Sequence, residues 1–426
     1  MPQSERLRVL FCDHLNLARG KYLPGGSYAD GASTFCRSTF GVQFDKDLLP
    51  SPGSMMMEGL PDMEARYLGA DIRQGWNDGE KVVVADLWDL EGQPLGTCGR
   101  QALKRAIADW QARGLEPMVG IELEATAMQF SDTGRLEPYD NPGGFVYGTG
   151  PFTDPAGVTD AIWHRAEEAG FRLDMITAEY DTPQFEFTLS FDSALKAVDD
   201  VFLFRQLARE VALEHGILLT FLPKAQADKG GTGMHVNFSF RDDKGLNAIG
   251  PGRDPGALAT GCMAGLIRHH RGLAALVAPT VTSYQRLQPA SLSGYWNNWA
   301  IDHRGVTTRI ASEGGAKARL EHRMADGTAN PYTAVAAVLQ AARLGVENGY
   351  DLPPAETGDC FERQDATEHT PENLSEALDE LAADTALSAA VGQLLVDNLI
   401  FMKRDEIEKT RDLAGEALRD WYIHYL

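Results

Sequence analysis

The segment Val119-Gly-Ile-Glu-Leu-Glu-Ala restricts this stretch of chain to a β-strand with two unlike faces. Side chains alternate across a strand with a period of two, so Glu122 and Glu124 share one face while Ile121 and Leu123 share the other. The aliphatic face requires a core; the acidic face requires solvent or a cation. Ala318-Arg-Leu-Glu-His-Arg repeats the pattern, with Glu321 and Arg323 on one side and Leu320 and His322 on the other. Taken singly, each acid is more often a solvated strand residue than a ligand. The set carries more weight, because Glu122, Glu124, Glu179, Glu186, His235 and Glu321 all fall in short segments that read as strands or strand ends. Five carboxylates and one imidazole make a hard-oxygen donor set, suited to magnesium or manganese bridging to phosphate oxygens and unlike the sets zinc prefers.

At 426 residues the chain is long enough for a large core divided between two domains. Its formal charge of -22 repels phosphate backbones and anionic lipid, which argues against nucleic acid or a membrane surface as a partner. Five scattered cysteines without a Cys-x-x-Cys pair read as free thiols of a reducing compartment, and no apolar run approaches the ~20 residues of a membrane span. A cytoplasmic protein is expected. Residues 1–105 mix short apolar runs with glycine and proline turns and read as a small β-rich domain. Within it, residues 25–60, including Met55-Met-Met-Glu-Gly-Leu-Pro, show no clear period and read as an ordered surface segment or an interface. Residues 101–113 read as a helix, and strands and helices alternate through 106–426. Asp192 is expected to cap a helix whose stripe is Ala194, Val198, Val201, Ala208 and Val211, closed by Gly216. Another helix is expected to begin at Asn330 with Pro331 in its first turn, and the tail from Pro371 reads as amphipathic helices.

Gly230-Gly-Thr-Gly-Met-His-Val-Asn-Phe-Ser is a glycine cluster running into a strand. It lacks the Gly-Lys-Ser/Thr of a Walker loop and the dinucleotide fingerprint, so glycine content alone reads as a tight turn. Yet His235 and Asn237 share one strand face, where imidazole and amide are placed to meet a phosphate or a metal. Together with Gly120-Ile-Glu-Leu-Glu, Glu179-Tyr-Asp-Thr-Pro-Gln-Phe-Glu, Gly231-Thr-Gly-Met-His, Tyr284-Gln-Arg-Leu-Gln-Pro, Ala318-Arg-Leu-Glu-His-Arg and Asn330-Pro-Tyr, in this order, the chain resembles the glutamine synthetase family over nearly its whole length.

The resemblance implies an α+β architecture: an N-terminal β-grasp domain over 1–105 and a catalytic domain over 106–426, with a curved antiparallel sheet and flanking helices. It implies ATP and Mg2+ (or Mn2+) as cofactors, glutamate and a small amine as substrates, and a homo-oligomer of stacked rings, commonly a dodecamer, with sites shared between subunits. By motif position, Glu124, Glu179 and Glu186 would hold one metal, and Glu122, His235 and Glu321 the metal nearer the ATP phosphates. Arg286 and Arg323 would grip glutamate, with Gly231, His235 and Glu124 lining its pocket. Arg304, Arg309 and Arg319 would surround the transferring phosphate, and Phe191, Asn237 and Ser239 would hold the nucleotide.

One departure stands out. Where the family carries a flap glutamate that helps hold and deprotonate ammonium, this chain has Leu292. Nearby Trp296 and Trp299 are expected to form an apolar wall offering cation–π contact to an alkylammonium. The family's N-terminal ammonium-binding aspartate has no clear counterpart; Glu58 and Asp62 are the nearby acids. The expected reaction is ATP-dependent ligation of L-glutamate to a small primary amine through γ-glutamyl phosphate, with methylamine the favoured amine. Ammonia, ethanolamine or a polyamine are the alternative substrates, and a metabolite-sensing or structural relative is the non-enzymatic alternative.

Overall fold

In the computed structural model, which describes residues 5–26, 29–250, 255–312 and 317–426, the acid-bearing segment is a 15-residue strand, Glu116–Phe130. It is the spine of a ten-stranded sheet. The main path runs Leu173–Ala178, Gln184–Leu189, Glu116–Phe130, Met234–Arg241, Arg319–His322, Thr308–Ala311 and Trp299–Ile301. Pairing along it is antiparallel except between the last two strands. Register decides what the acidic face becomes. Glu124 lies opposite Glu186, Glu122 opposite His235, Gly120 opposite Asn237, and Asn237 also opposite Glu321. Residues paired in this way have Cβ atoms only ~5 Å apart, so pairing alone assembles the acids.

The other face of the sheet is the core. Ile121, Leu123, Val236, Phe238, Leu320 and His322 are all buried there, as the period-two reading requires. Helices Gly99–Gln111, Ala194–Glu214 and Pro331–Asn348 pack over them. In the first of these, Trp110 packs on Phe240 with ring centroids 4.1 Å apart, and its indole N–H donates to the carbonyl of Leu339 at 3.0 Å. Residue 105 therefore lies inside a helix committed to the large core, and a division ahead of Gly99 fits this packing better than one at 105.

Local signals account for the helix ends. The Ala194–Glu214 helix carries the expected stripe, but Ser193 precedes it and Asp192 instead pairs with Val119. Gly216 follows with φ of 74°. Asn330 caps Pro331–Asn348 as expected, accepting from the N–H groups of Tyr332 and Thr333 at 3.0 and 3.1 Å. Its amide also donates to Asp13 O at 2.8 Å, which ties the N-terminal region to the large core. The N-terminal region forms two small sheets around Leu7, Val9, Phe11, Phe40, Met63 and Val83. In the aperiodic segment the structure has a short strand, Gly31–Cys36, and 3-10 turns, with Met57 and Leu60 exposed. The tail is helical over Leu374–Ala383, Thr385–Val391, Gln393–Thr410 and Gly415–Tyr422. All five cysteines are free thiols, and among the described residues no single helix is long and apolar enough to cross a membrane.

Helices Ala257–Arg268 and Pro331–Asn348 meet backbone to backbone. A Cβ at Gly265 would lie 2.1 Å from the carbonyl oxygen of Ala341, and one at Gly345 would lie 2.1 Å from that of Gly261. Gly345→Ala must push the helices apart, at a cost of about 1–3 kcal/mol. Thermal unfolding should show this as a midpoint lowered by a few degrees, whereas an unchanged midpoint would mean that the contact is not close.

Candidate active site

Strand register places His235 among the acids. Its Nδ1 is 3.1 Å from Glu122 Oε2 and its Nε2 is 3.5 Å from Glu124 Oε1. Asn237 Nδ2 donates to Glu122 Oε1 at 3.1 Å, and the N–H of Gly233 donates to Glu124 Oε2 at 2.6 Å. Glu179 stands just past the Leu173–Ala178 strand, its N–H donating to Gln184 O at 2.9 Å. Two groups of three result, Glu122 with Glu186 and His235, and Glu124 with Glu179 and Glu186; within each, one ligand atom per residue lies within 4.8 Å of the others.

Glu186 is thus common to both groups, which differs from the division implied by motif position. Glu321 does not complete the Glu122–His235 group. It is wholly buried and held by Arg309 and by Arg323, the latter at 2.5 Å, leaving its Oε1 3.8 Å from His235 Nδ1. Two guanidiniums already satisfy that carboxylate.

Electrostatics separates the acids. Burial, reinforced by Glu122, Glu124 and Glu179 against the opposing pull of His235, pushes the Glu186 carboxyl up to about 7. Burial and Glu124 likewise raise Glu179. Burial acts to raise Glu122 too, but the bond from His235, with Arg323 and Asn237, outweighs it and leaves this carboxyl at about 2. Glu321 is lowered in the same sense, burial being outweighed by Arg323 and His235. A pocket that strains to keep its carboxylates ionised fits a hard divalent cation, and the oxygen-rich donors fit magnesium or manganese. Such an ion would neutralise the acids and polarise phosphate oxygens.

Arginines border this cluster. Arg286 is buried and donates to Met324 O at 2.8 Å and Arg323 O at 3.0 Å. Gly231 and Gly233 make room for it: a Cβ on either would come within 2.6 Å of its side chain. Neither glycine lies in the left-handed region, so close approach explains the cluster better than a tight turn does. Arg323 Nε also reaches Leu292 O at 3.4 Å, joining the acids to the segment after helix Ser283–Arg286 where the flap was expected. A cleft of about 680 Å³ opens here, bordered by Glu124, Glu179, Gly231, His235, Arg286, Arg323 and Leu292.

Beyond the acids on the same strand face, Arg319 Nε donates to Asn237 Oδ1 at 3.0 Å, and Ser239 follows one pleat further. Phe191, exposed, lies against Gly120, where a Cβ would come within 3.3 Å of it. Phe191, Asn237, Ser239 and Arg319 thus border one region. Arg309 is taken up by Glu321, and Arg304 stands exposed on the loop between Trp299–Ile301 and Thr308–Ala311.

The expected tryptophan wall is not in the cleft. Trp299 is buried in the main core, its indole N–H donating to Pro353 O at 2.8 Å. Trp296 packs with Tyr295, His369, Ala300, Val306 and Cys360. Among the described residues lining the cleft, neither tryptophan occurs. Tyr180, Asp181, Lys224 and Phe361 do, and the sequence reading missed all four. Asp181 had a signal, since it lies between Glu179 and Glu186 in one matched motif. Phe361 had none, because its surroundings carry no period.

Comparison with known proteins fits this geometry. Residues 96–422 match the family described as glutamine synthetase, catalytic domain. The chain is 27% identical to a glutamine synthetase of Halobacterium salinarum, over 98% of this chain and 93% of that protein. It is 30% identical to the gamma-glutamylethanolamide synthetase GlnA4 of Streptomyces coelicolor, over 86% of this chain and 79% of that protein. A solved structure of GmaS without ligand superposes with a TM-score of 0.83 at 26% identity, covering 98% of this chain and 96% of that one. The chain belongs to the glutamine synthetase family. It is a carbon–nitrogen ligase of the glutamate–amine type.

Two outcomes test the site. Glu124→Gln should abolish turnover while thermal unfolding stays cooperative, because losing one charge from an acid group that fits a cation forfeits several kcal/mol of transition-state stabilisation. Glu321→Gln should abolish it by unpairing the buried Arg309 and Arg323, with a lowered unfolding midpoint; near-normal kcat in either would remove that residue from the site. A magnesium ion held by these acids would have to displace the proton that favours Glu186 below about pH 7. Apparent magnesium affinity, read by calorimetric titration, should therefore be roughly tenfold tighter at pH 8 than at pH 6.

Proposed function

We propose that this ligase joins L-glutamate to a small primary amine, methylamine foremost, through γ-glutamyl phosphate. A γ-carboxylate is a poor acyl donor until phosphorylated, and bringing it to a nucleoside triphosphate sets two anions against each other. Arg323, Arg309 and Arg319 stand beside the acids to offset that charge, with Arg304 on a nearby loop, and Arg286 shapes the cleft behind Gly233. The γ-carboxylate oxygen attacks the terminal phosphorus of ATP and ADP leaves. The amine nitrogen then attacks the acyl carbon, phosphate departs with that oxygen, and Asp181, a cleft carboxylate outside both acid groups, takes the amine proton.

The observation that carries the choice of amine is Leu292. It lines the cleft where a flap carboxylate would serve ammonium, and its side chain offers only hydrocarbon. Ammonium, with its charge and four N–H groups, is costly to strip of water beside such a group, whereas a methyl group buried against it recovers about 1 kcal/mol. The likeness to GlnA4 makes ethanolamine the second reading. The same reading includes a homo-oligomer of stacked rings acting in the cytoplasm; exposed Met57, Leu60 and Leu68 in the N-terminal region offer apolar surface to a second copy.

Phosphate release from ATP with glutamate and ammonia, methylamine, ethylamine, ethanolamine or putrescine tests this. Methylamine should exceed ammonia about 10-fold or more in kcat/KM, and Leu292→Glu should narrow the gap by raising activity with ammonia. Ammonia as the better substrate of the unaltered enzyme would overturn the choice.

A further inference from the structure

The tryptophans' withdrawal from the cleft leaves its apolar lining to other residues, and one of them is held in an unusual way. Phe361 is 53% exposed, yet it sits at the tip of a loop braced by a dense polar network. The buried carboxylate of Glu356 accepts from the N–H groups of Gly358 at 2.8 Å, Asp365 at 2.7 Å and Ala366 at 3.2 Å, so a single side chain gathers both ends of the loop. It also accepts from Asn298 Nδ2 at 3.0 Å, which anchors the loop to the sheet. Asp359 accepts from the N–H groups of Phe361, Glu362 and Arg363 at 2.8, 2.9 and 3.0 Å, closing the tip. Asp365 accepts from both the N–H and the hydroxyl of Thr357, at 2.9 and 2.7 Å. Cys360 turns inward against Ala300, Val306 and Trp296, and that inward turn faces its neighbour Phe361 outward.

A large aromatic side chain held in water by a rigid loop costs free energy that packing would recover. Here the loop delivers it to the border of the cleft that also holds Leu292, Glu179 and Asp181. Leu292 is itself 41% exposed. Most of the remaining cleft residues are charged or polar; Tyr180 adds an aromatic ring, but one that ends in a hydroxyl, so these two side chains are the large purely hydrocarbon contacts for an apolar group entering with glutamate.

We propose that Phe361, with Leu292, forms the hydrocarbon wall of the amine subsite and sets which alkylamines the enzyme accepts. The inference rests on the amine-ligase reading and goes beyond it in naming a specificity-determining residue on a loop that carries none of the clustered acids Glu122, Glu124, Glu179, Glu186 and Glu321. A phenyl wall favours a short unbranched alkyl group and disfavours a second ammonium, which it would have to desolvate without a partner.

The test is an amine-length profile: kcat and KM for ammonia, methylamine, ethylamine, propylamine and butylamine in the unaltered enzyme, Phe361→Ala, Phe361→Leu and Phe361→Trp. Glutamate KM and native mass are measured alongside. Phe361→Ala should raise the methylamine KM about 3- to 10-fold, near the loss of one or two methylene contacts. It should also move the preferred amine to a longer chain, with glutamate KM within twofold. Phe361→Leu should restore much of the methylamine KM, and Phe361→Trp should shorten the accepted chain. An unchanged length profile in Phe361→Ala and Phe361→Trp would overturn the assignment, as would a changed native mass in place of a changed profile. If the unaltered enzyme prefers ammonia, the methylamine reading fails; Phe361 is still judged by whether its variants alter the profile, and enzymes that all accept only ammonia would sink both.

Discussion

Repulsion among carboxylates on one face of a sheet is the constraint that the rest of this structure answers. Glu122, Glu124, Glu186 and Glu321 are brought together by strand pairing, and Glu179 joins them from a strand end. Left alone they would push the strands apart or take up protons, and Glu186, pushed up to about 7, shows that tension. Three kinds of partner relieve it. His235 bridges Glu122 and Glu124, Arg309 and Arg323 hold Glu321, and a divalent cation fits what remains. The backing is equally necessary. Ile121, Leu123, Val236 and Leu320 bury the opposite face, so the strands that carry the charge are fixed by hydrophobic packing that the charge does not touch.

Much of this was legible along the chain, because a strand's period is a local property. Glu122 and Glu124 on one face, and Glu321 with Arg323 on another, follow from alternation alone. The helix start at Asn330 was legible for the same reason, since Asn330 with Pro331 forms a cap from side chain and ring geometry within a few residues, whereas Asp192 is drawn off its expected cap by pairing with Val119. What could not be read depends on which strands pair and in what register. Glu186 serves both acid groups because Gln184–Leu189 lies beside Glu116–Phe130 with Glu186 facing Glu124, a contact between residues 62 apart in sequence order by their numbers. Glu321's capture by Arg309 likewise depends on a neighbouring strand. The tryptophans were misplaced because an aromatic run gives no indication of which side is core, and the cluster around Cys360 drew Trp296 away from the cleft.

Arg323 links the two halves of the chemistry. One guanidinium nitrogen meets Glu321 among the acids, and another reaches the Leu292 carbonyl on the flap. In the proposed reaction, phosphate activation and amine recognition would be joined through this one side chain in the cleft. The flap can carry a hydrocarbon at position 292 without disturbing the acids, since only its backbone is engaged there.

The central claim is that the acid cluster serves to phosphorylate the γ-carboxylate of glutamate before the amine attacks. Glutamate labelled with oxygen-18 in the γ-carboxylate tests it directly, with mass analysis of the inorganic phosphate released during turnover with methylamine. Transfer of one labelled oxygen to phosphate per amide formed is the predicted result. Phosphate free of label, at the same yield of amide, would contradict the account.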